Sequence, residues 1–230
     1  MLDALKAEVL KANLSLVKYG LVTLTWGNVS SIDRKSGLIV IKPSGVEYDE
    51  MTIGNMVVVN LERKIVEGNL RPSSDTPTHI ELYKAFPEIG GITHTHSINA
   101  TAFAQACKEI PCLGTTHADS FFGPVPVTRL LTEEEVKTAY EMNTGKVIIE
   151  RFMKLDPTDV PGILIAGHGP FCWGKDAEDS VKNSLMLERI AEIAIKTLQI
   201  NPDAEDISHY ILNKHHERKH GKNAYYGQKL

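Results

Sequence analysis

The 230-residue sequence predicts one α+β or α/β domain, a mixed sheet flanked by helices. Three observations carry this expectation. Short apolar, β-branched runs separated by turn residues fill the first third of the chain, where strands are expected. Longer segments with apolar residues at three- and four-residue steps dominate the remainder, as amphipathic helices do. No internal repeat, low-complexity stretch or linker divides the chain.

Leu2, Leu5, Val9 and Ala12 recur at helical steps and Gly20 stands where a helix would end, so the chain opens with an amphipathic helix. LIVIKPSG and MVVVN read as strands. The turn at Lys35, Ser36 and Gly37 and the EGN run at 67–69 separate β-rich pieces through the first 70 residues, which favours hairpins over βαβ units. In PSSDTPTHIELYKAF a helix is expected, with Thr76 as N-cap and Pro77 at the first helical position. GGITHTH then reads as a strand and INATAFAQA as a short helix. Residues 132–154 are expected to be helical, opened by a capping box of Thr132 and Glu135. GILIAGHG is an apolar strand ending in a polar turn. A long helix follows N-cap Asp176, and a last one runs from Asp206 to Lys219 with Gly221 as its stop.

The 42% hydrophobic content allows a sizeable core. A net charge of -4 spread without blocks gives no electrostatic case for nucleic acid or an anionic membrane as partner. Cys107, Cys112 and Cys172 lack CxxC spacing and are odd in number, which argues against a disulfide framework and for a reducing cytoplasm. Charged residues at Asp3, Lys6, Glu8 and Lys11 interrupt any signal-peptide h-region, and no stretch approaches membrane-spanning length.

His94 and His96 lie two apart in an expected strand, so both imidazoles point to one face and can reach one ion. Alone this pair reads equally as surface or hydrogen-bonded histidines. His168 strengthens the metal reading, because it closes an apolar strand between Gly167 and Gly169, and strand ends are where α/β-type folds assemble ligand sites. Three imidazoles are a common catalytic zinc set. Asp75 offers a carboxylate that ligates the same metal or acts beside it, although an aspartate there also reads as a helix cap. The GxG at 167–169 invites a dinucleotide reading, which fails because Cys172 stands where the third glycine belongs, so no NAD is expected.

Three loops look built for an anion: Trp26-Gly27-Asn28, Lys42-Pro43-Ser44-Gly45, and Ser73-Ser74 before a helix start. Glycines let backbone N–H groups approach, hydroxyl and amide side chains donate, and Lys42 adds charge. Thr115 to Asp119 and the tail from Ala224 to Gly227 hold further proton-transfer candidates. From the residues alone these read as a polar loop and an aromatic anchor, and His215, His216 and His220 as a solvated helix face.

As a set, TLTWGNVS, IKPSGV, PSSDTPTH, GGITHTHS, GTTHAD, GHGPFCWGK and KHGKNAYYGQ resemble the class II aldolase and epimerase family, in its order and near its spacing over essentially the whole chain. The resemblance implies a three-layer α/β fold with a mostly antiparallel central sheet and helices on both faces, forming one catalytic domain over residues 1–230. It implies a cyclic homotetramer with active sites between neighbours. His94, His96 and His168 would hold Zn2+ or another divalent ion such as Mn2+, with Asp75 as a further ligand or close neighbour. Asn28, Lys42, Ser44, Gly45, Ser73 and Ser74 match positions that receive the phosphate of a small sugar phosphate. Asp119 and Tyr226 match two proton-transfer residues reaching the metal from an adjacent subunit, and His215 matches a residue assisting them.

An Asp at position 75, where similar aldolases carry Glu, implies the epimerase branch of the family. The activity implied is interconversion of L-ribulose 5-phosphate and D-xylulose 5-phosphate, by retro-aldol cleavage of C3–C4, aldehyde rotation and re-addition. Arabinose catabolism is one pentose route with that substrate. Two other readings stand beside it: an aldolase releasing dihydroxyacetone phosphate, and a non-catalytic adducin-like interaction module.

Overall fold

Residues 2–221 and 224–226 are described by the structure, a computed structural model. Seven short strands make up its sheet: β1 (Asn28–Asp33), β2 (Leu38–Ile41), β3 (Val57–Asn60), β4 (Ile65–Glu67), β5 (Gly91–His94), β6 (Gly162–Leu164) and β7 (Pro170–Gly174). Their spatial order is β4-β3-β2-β1-β5-β7-β6, and every ladder is antiparallel. Among the described residues the only parallel pairing is an isolated bridge between Val127 and Leu164. The fold class expected from the sequence therefore holds, with its mixed character reduced to that bridge.

Alternation along the strands builds a layer on each face. Ile39, Ile41, Val57, Val59 and Ile92 join one core cluster with Ile80 and Tyr83 of α2 (Thr76–Ala85) and Ile148 and Phe152 of α5 (Glu133–Phe152). Val29, Val40 and Val58 point the other way. They meet Val9 and Leu16 of α1 (Asp3–Lys18) and Val181 of α6 (Ala177–Ile200). Each such aliphatic side chain, once buried, contributes about 1.5–3 kcal/mol. The remaining helices are α3 (Ile98–Gln105), the single turn α4 (Thr115–Ala118) and α7 (His209–His220). No described helix is long and apolar enough to cross a membrane.

Several local expectations are corrected. Asp75, not Thr76, occupies the N-cap position of α2, because Thr76 turns into the helix and its hydroxyl donates to Ser73 O at 2.6 Å. The capping box at Thr132 and Glu135 is present, but α5 is broken at Ala139 (φ -165°, ψ 73°). Residues 115–118 coil into α4 rather than a loop. The last helix begins at His209 instead of Asp206, since Ile207 N–H donates to Cys112 O at 2.9 Å and ties the preceding segment to a distant loop. The GILIAGHG strand shortens to β6, and residues 165–169 form the turn into β7.

Candidate active site

Sheet register brings the first site residues together. Asn28, His94 and Phe171 are paired partners across β1, β5 and β7, so their side chains share one row on one face. The His94 ring stacks on Phe171 with centroids 4.2 Å apart. Its Nδ1 lies 2.9 Å from Pro170 O. A carbonyl can only accept, so Nδ1 carries the hydrogen and Nε2 is the ring nitrogen left for a metal.

His96 lies two residues past the end of β5, so strand alternation does not aim it, yet its Nε2 comes within 3.2 Å of His94 Nε2. His168 enters from the turn between β6 and β7, its ring centroid 4.8 Å from that of His94 and 4.9 Å from that of His96. Close backbone approach makes this convergence possible. A Cβ on Gly169 would stand 2.8 Å from Thr95 O, and one on Gly27, whose φ is +78°, would stand 2.9 Å from His94 O.

One nitrogen from each of the three histidines lies within 4.8 Å of the other two, the only such group of metal-ligating side chains among the described residues. Burial, and then the neighbouring His94, hold His96 below the usual imidazole range; burial, His94 and His96 push His168 down to about 4. Both are therefore neutral near pH 7, the form that ligates. Each of the three converging imidazoles has a nitrogen that can offer its lone pair to one divalent cation. The donor set fits such an ion.

Asp75 stands at the N-cap position without capping the helix. Its Oδ2 accepts from Asn28 Nδ2 at 2.7 Å instead. Burial raises its pKa, but His94, His79 and the Asn28 bond outweigh that and leave it below the ordinary carboxylate range. An ionised carboxylate thus borders the three imidazoles. Asn28 Oδ1 is buried with no partner among the described residues.

A cleft of about 490 Å³ joins the histidines and Asp75 to all three loops expected to hold an anion. Asn28, Lys42, Ser44, Gly45, Ser73 and Ser74 all line it. Lys42 is buried, its Nζ donating to Thr25 O (3.3 Å), Pro43 O (3.4 Å) and Val46 O (3.1 Å). No described carboxylate forms an ion pair with it, so burial lowers its pKa, with Glu47 only partly opposing. That leaves an uncompensated cation at the cleft wall. One detail departs from expectation: Ser44 N–H donates to Arg71 O and Ser73 N–H to Lys42 O, so these amides bind the two loops to each other. With its three hydrogens turned to carbonyls, Lys42 offers an anion its charge rather than a free N–H, and the serine hydroxyls remain to donate.

Asp119, His215 and Tyr226 lie elsewhere; none lines this cleft. Asp119 follows α4 and accepts from Arg218 Nε (2.9 Å) and Nη2 (2.5 Å), with His215 Nδ1 at 3.0 Å and Lys219 Nζ at 3.6 Å. Burial raises this carboxyl, but the Arg218 and His215 bonds outweigh it and hold it low. The Tyr226 ring sits 5.0 Å from the Arg218 guanidinium and 4.7 Å from Lys219 Nζ. The expected solvated histidine face is in fact engaged, with His216 Nε2 3.2 Å from Asp159 and His220 Nε2 3.0 Å from Asp119 O. Residues 222, 223 and 227–230, which include Gly227 of the tail motif, lie outside the described residues.

Sequence reasoning missed Tyr140 and Glu141, which also line the cleft. Both follow the break at Ala139. No periodicity signals that break.

Residues 7–195 match the family described as Class II Aldolase and Adducin N-terminal domain. Proteins named L-ribulose-5-phosphate 4-epimerase UlaF, from Salmonella paratyphi C (strain RKS4594) and Salmonella typhi, are each 57% identical over 228 residues, covering 99% of this chain and 100% of theirs. Among solved structures, an L-fuculose 1-phosphate aldolase superposes with a TM-score of 0.79 at 24% identity, covering 94% of this chain and 95% of that one. YgbL from Klebsiella pneumoniae, described as a putative aldolase/epimerase/decarboxylase, gives a TM-score of 0.71 at 24% identity over 93% of this chain and 99% of its own. At that identity the two structures speak for the fold alone.

Proposed function

The chain belongs to the class II aldolase and adducin family, and from that premise we propose that it interconverts L-ribulose 5-phosphate and D-xylulose 5-phosphate by breaking and remaking the C3–C4 bond. One observation carries the reading: three converging imidazoles and an ionised Asp75 share a single cleft with the cation of Lys42, which no described carboxylate pairs. Such a cleft suits a substrate with a phosphate at one end and metal-chelating oxygens at the other. Identity of 57% over the full length of proteins named as this epimerase supports the choice of substrate.

The C4 hydrogen of this substrate is not α to the C2 carbonyl, so removing it would leave an unstabilised carbanion. Cleavage of C3–C4 avoids that, because the departing C3 carbon is α to the carbonyl. A divalent cation, zinc first and manganese second, held by His94, His96 and His168 with Asp75 beside them, would supply positive charge against the negative charge developing on the substrate oxygens. Lys42 and the hydroxyls of Ser44, Ser73 and Ser74 hold the phosphate, with Asn28 and Gly45 completing its pocket. Asn28 also orients Asp75 through its amide.

Proton transfer at the C4 hydroxyl falls to Asp119 and Tyr226, one for each epimer, with His215 assisting. That these residues lie outside the cleft of their own chain supports their supply by a neighbouring subunit, hence a closed homotetrameric ring with one active site per interface. Residues 1–230 then act as one catalytic unit. Three cysteines that remain free thiols support a cytoplasmic setting, and arabinose breakdown is one route that would use this activity.

Turnover of L-ribulose 5-phosphate with and without a chelator tests the proposal. D-Xylulose 5-phosphate should form, and chelation should stop it while the protein stays folded, because the core holds without the ion. Release of dihydroxyacetone phosphate from a 1-phosphorylated deoxysugar would assign aldolase activity in its place. Stoichiometric absence of metal from the purified protein, with no turnover, would favour the non-catalytic adducin-like module.

A further inference from the structure

A helix break seldom occurs without a cause, and the one in α5 has three. At Ala139 the backbone leaves helical geometry (φ -165°, ψ 73°), which frees carbonyls in the preceding turn. The buried Asn143 amide takes one of them, donating to Glu135 O at 2.8 Å. Thr78 of α2 reaches across to donate its hydroxyl to Glu141 O at 2.5 Å. Close packing fixes the second half of the helix, since a Cβ on Gly145 would stand only 2.8 Å from Glu81 Cβ. The break is thus built by side chains of two elements, and it turns Tyr140 into the histidine cleft.

There Tyr140 Oη lies 3.3 Å from His168 Nδ1, with the ring centroids 6.1 Å apart. His94 meets the same need through Pro170 O. A ligating imidazole is oriented by whatever accepts the hydrogen on its other nitrogen. His168 comes from a turn rather than a strand and gains no such acceptor from the sheet.

We propose that Tyr140 is the positioning residue of His168: its hydroxyl oxygen accepts the Nδ1 hydrogen, fixing the tautomer and ring so that Nε2 faces the cation. The inference rests on the metal reading above. The broken helix is the device that delivers this oxygen, because a continuous α5 would carry Tyr140 along a different face.

Zn2+ alone is the probe, titrated into metal-stripped protein against a chromogenic chelator, with the thermal midpoint of the metal-free protein measured in parallel. Tyr140→Phe keeps the ring and deletes the oxygen. It should weaken Zn2+ binding by about 10–100-fold and leave the metal-free midpoint within about 2 °C of wild type. Asn143→Ala, which unlatches the break without touching the cleft, should weaken binding in the same direction. Zn2+ affinity for Tyr140→Phe within twofold of wild type would overturn the proposal. So would a fall in the metal-free midpoint that accounts for the weaker binding, because the hydroxyl would then serve the fold. Wild-type protein that binds no Zn2+ would overturn the metal reading and this inference together, an outcome distinct from loss of the Tyr140 effect alone.

Discussion

Glu188 sits far along α6, yet it governs where α3 begins. Its Oε1 accepts from the Asn99 backbone N–H (3.0 Å) and side-chain amide (2.7 Å), and its Oε2 from Ala100 N–H (3.0 Å). The carboxylate is 7% exposed and therefore substitutes for the N-cap side chain that Ser97 does not provide. Glu188→Ala strips two amides at the start of α3 of their acceptor. A buried donor left unmet costs about 1–3 kcal/mol, and Asn99, being partly exposed, can recover some of that from water, so the expected loss is about 2–4 kcal/mol. Glu188→Gln should lose less, since one carbonyl oxygen still accepts. Because α3 starts two residues after His96, the helix that slips also releases that ligand, and Zn2+ affinity should fall with stability. Urea unfolding of the metal-free variants measures the first effect and chelator competition the second. A stability loss below about 1 kcal/mol would refute the capping argument, and a full loss with Zn2+ affinity unchanged would refute the link from α3 to His96.

Lys42→Met removes the cleft's uncompensated charge; at about 4 Å and an effective dielectric near 20 a charge pair is worth up to about 4 kcal/mol, so kcat/KM for the sugar phosphate should drop by about 30- to 1000-fold. A variant within threefold of wild type would remove Lys42 from the phosphate site. Acid should destabilise the fold before carboxylates titrate: burial pushes His79 down to about 3 and His117 to about 4, so below 6.5 the unfolded chain binds protons that the folded one refuses. Stability is full above that point and falls by up to about 1.4 kcal/mol per pH unit for each group, which urea unfolding at pH 7, 6 and 5 measures, with His117→Gln expected to flatten the slope. In heavy water, deuterium should stay out of C4 of the product, as read by mass spectrometry or NMR; its accumulation there would reject carbon–carbon cleavage. Mixed rings of His94→Ala and Tyr226→Phe subunits, isolated by two tags, should regain about a quarter of wild-type activity if each site draws on two chains; rings as inactive as their parents would return Tyr226 to its own subunit.

The part of the site legible in the sequence is the part whose chemistry is carried by residue type. Three histidines, a lysine and loop serines taken together point to a metal and an anion whatever the backbone does between them. The amphipathic helices and the apolar runs that became β2, β3, β5 and β6 are equally legible, whereas β1, β4 and β7, with NVSSID, IVE and PFCWG, carry no strand pattern that stands out in the sequence. Even so, the correct pairing of His94 with His96 came from an alternation rule that His96, beyond the end of β5, does not obey. The backbone amides of Ser44 and Ser73 looked free for an anion because nothing local says that those two loops lie side by side and consume them.

Ala139 marks the limit of such reading most sharply. Alanine is the best helix former, and it stands in a segment with a sound capping box, so nothing at the site of the break itself disfavours a continuous helix. What breaks it is supplied from elsewhere: Thr78, 63 positions before the Glu141 carbonyl it meets, and the packing of Gly145 on α2. Each of these contacts forms only after α2 and α5 have docked. The energy they recover must exceed the cost of the broken turn, otherwise the helix would run through and carry Tyr140 past His168. A residue's reach into a cleft is then a property of the docked pair of helices rather than of either helix, which is why Tyr140 could not be found by scanning the chain and why its role is testable through Asn143, a residue that touches neither the cleft nor the metal ligands.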